Sequence, residues 1–176
     1  GRARPLGVVE GAQQLELRAG PDDEALAMAV AALERELAAP LRDGYRSEIC
    51  LALPAWFAAL EAVLEQGCVL LADYGVVRRE YYHPERSGGT FVCHYRHRAH
   101  DDPFYLPGLQ DMSAWVDFSA CADSAAAAGL TVAGFTTQAQ FLLATLARSP
   151  PAPAVDARSL REASALRTLL LPGEMG

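Results

Sequence analysis

Apolar residues with regular spacing predict the first elements of the chain. Apolar pairs around Val8 and Leu15 flank a Glu-Gly-Ala sequence, which predicts a short β-hairpin. After the acidic stretch 22–24, apolar residues recur at i, i+4, i+7 and i+11, which is the spacing of one helical face. These residues are Leu26, Val30, Leu33 and Leu37. Pro40 ends this predicted helix because proline cannot continue the hydrogen-bonded turn.

A second predicted helix leads directly into an apolar run. Pro54 suits the first turn of this helix, and Gly67 ends it. The predicted inner face of this helix consists of four residues: Trp56, Leu60, Val63 and Leu64. The run 69–72 (Val-Leu-Leu-Ala) follows and shows no polar alternation. Such a run is typical of a strand in a sheet covered on both faces, so helix and strand together predict an α/β unit.

The rest of the chain divides into a long insertion and a helical end. From about 76 to 116 the periodic patterns fade, although 88–93 predicts a turn that enters a short strand. The insertion is rich in aromatic residues, which favours an ordered segment. Beyond it the pattern predicts a helix capped by Asp117 and running to Ala128, a strand over 130–135 and a helix over 138–146. A proline-rich linker at 149–153 then precedes a last helix at about 156–171.

Composition and charge narrow the class of protein. At 176 residues with 51% apolar and 21% charged residues, the chain suits one globular domain. Its net charge of −7 argues against a nucleic-acid partner, and no apolar run approaches the length of a membrane span. The first five residues lack the apolar core of a signal peptide. The four cysteines form no CxxC pair and are interpreted as reduced, mostly buried thiols in a cytoplasmic protein.

An acidic residue directly follows the apolar run. In open α/β sheets, ligands bind beyond the carboxyl ends of the strands, and Asp73 occupies such a position. Gly75 permits a tight turn or a close approach of a ligand to the backbone. The alternative is that Asp73 only caps the turn that follows it. Both interpretations remain open on the sequence alone.

Three histidines suggest a metal site but lack suitable spacing. His94, His97 and His100 recur at every third residue in a segment without helical periodicity, with Arg96 and Arg98 between them. This spacing does not place three ring nitrogens around one ion, so no metal is predicted. The sequence also lacks GxSxG, GxxxxGK[ST] and GxGxxG, the loops of nucleophile-elbow hydrolases, P-loop proteins and dinucleotide-binding folds.

Six stretches in order resemble one known family. They look like the C-terminal half of the MidA family of S-adenosylmethionine-dependent methyltransferases, which includes a mitochondrial complex I assembly factor that methylates an arginine. The resemblance covers the chain from about Gly7 onward. The stretches are GYRSEIC (44–50), LLADYG (70–75), GGTFVCHYRHR (88–98), GLQDMSAWVDF (108–118), GFTTQAQFLL (134–143) and LLLPGEMG (169–176).

The resemblance implies a fold and a cofactor. The fold would be a Rossmann-like class I methyltransferase sheet, with 69–75 as its fifth strand and 130–135 as its sixth. The insertion would cap the active site. S-adenosyl-L-methionine would bind to an N-terminal half that is absent here, so no cofactor-binding residue is assigned and the fragment alone is expected to be inactive. Trp115 stands where the family commonly has a histidine, which puts the role of that imidazole in doubt.

The resemblance also implies roles for acidic residues. A carboxylate binds a planar guanidinium through two parallel hydrogen bonds, so acids suit an arginine acceptor. Glu48 and Asp73 are the candidate catalytic pair. The candidate substrate-binding residues are Tyr74, Gly75, His97, Asp111 and Asp117. The structural alternatives are a solvated acid for Glu48, a backbone anchor of the insertion for Asp111 and a helix cap for Asp117.

The expected partner is a protein substrate, such as a respiratory complex I subunit, and a homodimer is compatible with the sequence. The expected location is the bacterial cytoplasm, with mitochondrial location in eukaryotic relatives. Two further hypotheses stay open. One is a non-catalytic protein-binding or assembly module with a methyltransferase-like fold. The other is a metal-binding domain that uses the three histidines.

Overall fold

The structure is a computed structural model that describes residues 3–12, 14–148 and 156–171. The chain divides into two compact units, residues 1–131 and 132–176. The strands of the described residues are β1 Leu6–Glu10, β2 Leu15–Ala19, β3 Gly75–Val76, β4 Val92–Tyr95, β5 Arg98–His100, β6 Asp111–Ser113 and β7 Val116–Asp117. The helices are α1 Glu24–Leu37, α2 Leu53–Val63, α3 Arg78–Tyr81, α4 Phe118–Ala127, α5 Gln138–Arg148 and α6 Ala157–Leu170.

The N-terminal hairpin and α1 follow the predicted pattern. Strand β1 pairs antiparallel with β2. The Asp23 side chain caps α1 by accepting a hydrogen bond of 2.9 Å from the backbone N–H of Leu26. At the other end Ala38 adopts a left-handed conformation (φ 54°), which stops the helix before Pro40. Local capping signals therefore set both ends of α1.

A first core cluster joins α1 to α3. Leu33 of α1 packs with Tyr81 and Tyr82, and all three side chains are buried. The partly buried residues around them come from several segments: Leu37, Leu41, Tyr45, Ile49 and Val76. This cluster fixes the first part of the predicted insertion against α1.

A second core cluster joins α2 to α4, and it corrects the predicted inner face of α2. Phe57 is buried against Cys121 and Ala125 of α4. By contrast, Trp56 is 45% exposed and Val63 is 78% exposed, so their assignment to the inner face was wrong. The prediction is confirmed for Leu60, which packs with Leu53 and Phe57 on the buried side of α2. Their i, i+4, i+7 spacing places them on one helical face, and α4 decides which face is covered.

The described strands form three small sheets. β1 pairs with β2, β3 pairs parallel with β7, and β4 lies between β5 and β6 in an antiparallel sheet. The short strand expected after 88–93 is confirmed as β4. The protein is therefore a mixed α/β fold. The single larger sheet of the Rossmann type and the capping role of the insertion stay predictions.

Two predicted strands are absent from the structure. Residues 69–72 and 130–135 carry no regular strand, so both assignments were wrong for the described chain. In the first segment Val69, Leu70 and Leu71 are 40%, 68% and 41% exposed. The physical reason is pairing, because a strand forms only where a neighbouring backbone satisfies its N–H and C=O groups. No described strand pairs with residues 69–72.

The remaining helices match their predictions. Asp117 caps α4 through hydrogen bonds of 3.0 and 3.1 Å from the N–H groups of Ser119 and Ala120. In the second unit, α5 and α6 confirm the two predicted C-terminal helices, and the Gln138 side chain donates a 3.2 Å hydrogen bond to the Leu169 carbonyl. The proline-rich linker at 149–153 lies outside the described residues.

Two general expectations can be compared with the described residues. Cys93 and Cys121 are buried, but Cys50 and Cys68 are exposed, so the expectation of mostly buried thiols was wrong for half of them. All four are free. In the described ranges, no helix combines the length and the apolar character needed to cross a bilayer.

Candidate functional site

Glu48 is the centre of a hydrogen-bonded cluster. Its Oε2 accepts hydrogen bonds of 3.0 Å from both the backbone N–H and the hydroxyl of Thr90, and one of 3.3 Å from the Tyr81 hydroxyl. The backbone carbonyl of Glu48 accepts a 3.1 Å hydrogen bond from the Tyr82 hydroxyl. Hydrogen bonds to a carboxylate are stronger than those between neutral groups. One carboxylate therefore joins the 44–50 segment to α3 and to the turn before β4.

A glycine makes room for this carboxylate. Gly89 has a φ of 82°, a conformation that residues with a Cβ rarely adopt. A Cβ at this position would also collide with the Oε1 atom of Glu48. The Gly-Gly-Thr sequence thus supplies a close approach at Gly89 and a double hydrogen-bond donor at Thr90.

Trp115 is held by the same network. Its backbone N–H donates a 3.0 Å hydrogen bond to the Thr90 hydroxyl oxygen. The Arg86 guanidinium lies 4.4 Å from the centre of the indole ring, within the range of a cation–π interaction. We refer to Glu48, Tyr81, Tyr82, Thr90 and Trp115 as the Glu48 cluster. Trp115 is thereby fixed by its backbone N–H and by the arginine stacked on its ring.

The two tyrosines of the cluster resist ionisation. Burial is the main cause that raises the pKa of Tyr81 to about 12, with Glu48 contributing in the same direction and the Thr90 hydrogen bond opposing it. Burial also raises the pKa of Tyr82, assisted by the negative charge of Asp117. Both hydroxyls therefore stay neutral donors near neutral pH.

We expect an alkaline loss of stability that depends on Tyr81. Because its pKa rises from 10.0 to about 12 in the folded state, the stability linked to its proton is complete below pH 10 and is lost as the pH rises towards 12. Urea denaturation between pH 8 and 12 should show this fall, and Tyr81→Phe should make it smaller. Tyr74, which is 64% exposed, provides the control. A Tyr74→Phe variant that reduces the fall as much as Tyr81→Phe would contradict the assignment.

Asp117 takes part in a second network centred on Arg78. The Nε of Arg78 lies 3.5 Å from Asp117, and its terminal nitrogens contact Glu36 and Asp123, the latter at 2.6 Å. The other oxygen of Asp117 caps α4. Both oxygens of Asp117 thus have structural partners, as the helix-cap alternative expects. Its role in substrate binding stays a prediction.

Asp73 lies in an exposed position at the end of the apolar run. Its Oδ1 accepts a 2.8 Å hydrogen bond from the N–H of Tyr74, and the Tyr74 ring is largely exposed. The Tyr74 carbonyl accepts a 2.9 Å hydrogen bond from Val116, where the parallel pairing of β3 and β7 begins. A Cβ at Gly75 would collide with the Val116 carbonyl oxygen. The pairing of β3 with β7 therefore requires a residue without a Cβ at position 75, which explains the glycine.

The candidate acids do not form one contact network. Glu48 binds Thr90 and Tyr81, whereas the hydrogen bond of Asp73 goes to the neighbouring Tyr74. Asp111 is the first residue of β6 and is exposed. The proposed catalytic pair of Glu48 and Asp73 therefore stays a prediction from the resemblance.

The three histidines lie in different environments. His94 and His97 are exposed, and His97 lies with Arg96 in the β4–β5 turn, where both residues have positive φ. His100 is partly buried and stands opposite Cys93 in the ladder. Since side chains alternate along a strand, His94 and His100 lie on opposite faces of the ribbon. In the described part of the chain, no three His, Cys, Asp or Glu residues are grouped as metal ligands.

Two surface depressions of the first unit do not fit S-adenosylmethionine. Its adenine and ribose need an enclosed and largely apolar pocket with a few polar partners. The two surface depressions of the first unit are instead open and dominated by charged side chains. One is lined by Glu80, His83, Glu85 and Arg86, and the other by Glu36, Leu37, Val77, Arg78, Arg79 and Ser119.

Several residues that organise the site were not predicted from the sequence. Thr90, Tyr81 and Arg78 were not predicted as site residues. Thr90 lies 42 residues from its partner Glu48, and Arg78 lies 42 residues from its partner Glu36. No periodic pattern links residues at such distances. The Gly-Gly-Thr and Tyr-Tyr sequences were the available signals, since glycine pairs and neighbouring aromatics often mark tight packing.

Comparison with known proteins places these features in a family. A family model described as "Putative S-adenosyl-L-methionine-dependent methyltransferase" matches residues 5–136. A COG1565 superfamily member from Burkholderia thailandensis bound to S-adenosyl-homocysteine is similar at 35% identity, with a TM-score of 0.78 over 97% of this chain and 44% of that chain. No curated protein matches.

A second solved structure agrees with the first. This uncharacterized COG1565 superfamily protein from Burkholderia thailandensis is 37% identical, with a TM-score of 0.80 over 97% of this chain and 46% of that chain. The present chain thus spans less than half the length of either structure. The family model covers most of the chain, and both similarities extend over nearly all of it. The chain belongs to this family of S-adenosyl-L-methionine-dependent methyltransferases.

Proposed function

We propose that the chain is part of an S-adenosyl-L-methionine-dependent methyltransferase that acts on a protein, with an arginine side chain as the favoured acceptor. The observation that carries the proposal is the family match, together with the S-adenosyl-homocysteine bound to a relative that is 35% identical. The arginine acceptor, a complex I subunit as substrate and membership of the MidA family rest on the resemblance of the motifs.

The acidic residues divide into two roles on the acceptor side. Asp73 is exposed, and its Oδ1 engages only the neighbouring backbone N–H among the described contacts. A carboxylate in this setting can bind a cationic acceptor through charge-assisted hydrogen bonds. Glu48 already accepts three hydrogen bonds on one oxygen. We therefore assign Glu48 to positioning the Thr90 turn and Asp73 to contact with the acceptor.

The alternative function is a non-catalytic binding or assembly module. It is supported by the two depressions of the first unit, which are open and lined largely by charged side chains. Calorimetry of the complete gene product with S-adenosyl-homocysteine separates the two functions. Micromolar binding supports the methyltransferase, and its absence supports the module.

The role of Asp73 can be tested in the complete gene product. We expect Asp73→Asn to lower methyl transfer by about ten- to hundredfold, since a charge-assisted contact contributes ~1.5–3 kcal/mol. The melting temperature should stay unchanged because Asp73 is exposed. The measurement is transfer of radiolabelled methyl from S-adenosylmethionine to lysate proteins, with identification of the methylated residue.

Glu65→Gln is the matched control because Glu65 is also an exposed acid near the same segment. Unchanged transfer by Asp73→Asn would assign the residue to the turn alone. A parallel fall in transfer and melting temperature would indicate a defect in folding, and would equally remove Asp73 from the acceptor site.

A further inference from the structure

The turn between β4 and β5 has an unfavourable backbone for the residues that form it. Tyr95 and Arg98 form the last pair of the ladder, so Arg96 and His97 are the two turn residues. Their φ angles are 47° and 62°. A two-residue hairpin turn with positive φ at both positions favours Asn-Gly, and a longer side chain is disfavoured there. Both side chains are exposed, so burial does not explain why arginine and histidine occupy this turn.

Two tyrosine rings lie beside the turn. The Arg96 guanidinium lies 5.4 Å from the centre of the Tyr95 ring, within the range of a cation–π interaction. Arg98 stands directly opposite Tyr95 in the ladder, so the two side chains project from the same face of the ribbon. The Tyr105 ring meets the Tyr95 ring edge-on at 5.9 Å. We call Tyr95, Arg96, Arg98 and Tyr105 the tip surface.

The two arginines of the tip surface have no acidic partner in the part of the chain that the structure describes. No carboxylate of these residues forms an ion pair with Arg96 or Arg98. Asp111 of the neighbouring strand stands opposite His94, which projects from the other face of the ribbon. The two acids at 101–102 follow β5 at the end away from the turn. Both guanidinium groups are therefore available to an external carboxylate.

We propose that the tip surface binds an acidic segment of a protein partner. A guanidinium binds a carboxylate through two parallel hydrogen bonds, and Arg96 and Arg98 each supply one such group. Tyrosine and arginine are also among the side chains that contribute most to binding at protein interfaces. The identification of the partner as the methyl-accepting substrate rests on the proposed function. In that case the acidic segment lies near the acceptor arginine and helps to select the substrate.

A nucleic acid is the competing partner, because arginine and tyrosine side chains also bind single strands through phosphates and stacked bases. The net charge of −7 opposes the approach of a long polyanion. A short acidic segment of a protein needs complementary charge only at the turn itself. The charge of the whole chain thus favours the protein partner.

A pair of synthetic peptides tests the tip surface directly. One is fluorescently labelled Glu-Glu-Gly-Arg-Gly-Glu-Glu, and the other has glutamine in place of every glutamate. Fluorescence anisotropy with the 176-residue chain measures the binding of each. We expect the glutamate peptide to bind at least about tenfold more tightly, and this difference to shrink as the salt concentration rises.

A matched pair of double variants locates the contact. Arg96→Gln combined with Arg98→Gln should weaken binding of the glutamate peptide by at least about tenfold, because it removes both guanidinium groups. Arg35→Gln combined with Arg42→Gln is the control. It removes the same charge from two exposed arginines outside the tip surface, and should change the affinity by less than about twofold.

A third variant separates contact with the partner from a role in folding. Arg96→Asn combined with His97→Gly gives the turn the sequence that its backbone favours. We expect the melting temperature to rise by about 2–4 °C. Binding of the glutamate peptide should fall at the same time by at least about threefold, since one guanidinium is lost. A gain in stability with a loss of binding cannot come from a folding defect.

Equal affinities for the glutamate and glutamine peptides would overturn the proposal, as would equal affinities of the two arginine-to-glutamine double variants. A lower melting temperature after Arg96→Asn with His97→Gly would also overturn it, since the turn would then not be strained. Tighter binding of a labelled single-stranded RNA, lost in Arg96→Gln with Arg98→Gln, would assign the surface to nucleic acid instead. Glutamate-peptide binding without methyl transfer by the complete gene product would support the tip surface and reject the proposed function.

Discussion

Gly75→Ala is expected to destabilise the first unit by about 3 kcal/mol, because the added methyl group overpacks a site closed by backbone. A Cβ at this position would collide with the Val116 carbonyl oxygen. It would also lie 2.8 Å from the Phe118 ring and 2.9 Å from the Val116 Cβ. Only the ring can move by rotating a side chain. The pairing of β3 with β7 must therefore open, which urea denaturation followed by circular dichroism would measure.

The control for Gly75 is Gly88→Ala. A Cβ at Gly88 meets no atom within 4 Å, and Gly88 is not among the glycines with positive φ. We expect a change in unfolding free energy of no more than about 0.5 kcal/mol at this position. Equal unfolding free energies for the two alanine variants would contradict the close approach at Gly75.

Glu48→Ala is expected to cost about 2–4 kcal/mol of unfolding free energy, because it removes the shared acceptor of three hydrogen bonds. The donors are the N–H and hydroxyl of Thr90 and the hydroxyl of Tyr81. Thr90 is only 8% exposed and Tyr81 only 2%, so water cannot readily replace the lost carboxylate. Glu48→Gln keeps one carbonyl oxygen as acceptor and should therefore cost clearly less than Glu48→Ala.

Two measurements complete the test of Glu48. Glu61→Ala is the control, since Glu61 is an exposed acid of α2 and should change stability by no more than about 0.5 kcal/mol. The fluorescence of Trp115 should change in Glu48→Ala because its backbone N–H is bonded to Thr90. If Glu48→Ala is as stable as Glu61→Ala, the Glu48 cluster does not stabilise the fold.

Most helices were predictable because their signals are local. Asp23 and Asp117 cap α1 and α4 through hydrogen bonds that span two or three residues. The spacing of apolar residues predicted the positions of the helices. The covered face of α2 could not be predicted in the same way. Its sequence is apolar on more than one side, and α4 selects Phe57 over Trp56.

The candidate site was predictable in part. Motif resemblance identified Glu48, Asp73 and Asp117 as notable acids, and the capping pattern foresaw the structural role of Asp117. The partners of Glu48 were not foreseen. Thr90 lies 42 residues away and Tyr81 lies 33 residues away, so their meeting depends on how α3 and the Thr90 turn fold back onto the 44–50 segment.

At the apolar run 69–72 the local sequence pattern and the folded structure differ. The amino-acid order of residues 69–72 predicts a strand covered on both faces, because no polar residue interrupts it. Whether it becomes a strand depends on backbone partners, and none of the described residues supplies them. Helices and their caps could be predicted from the sequence because their hydrogen bonds join residues only a few positions apart. The covered face of α2 and the Glu48 cluster were decided by the tertiary structure, because their partners lie far away along the chain.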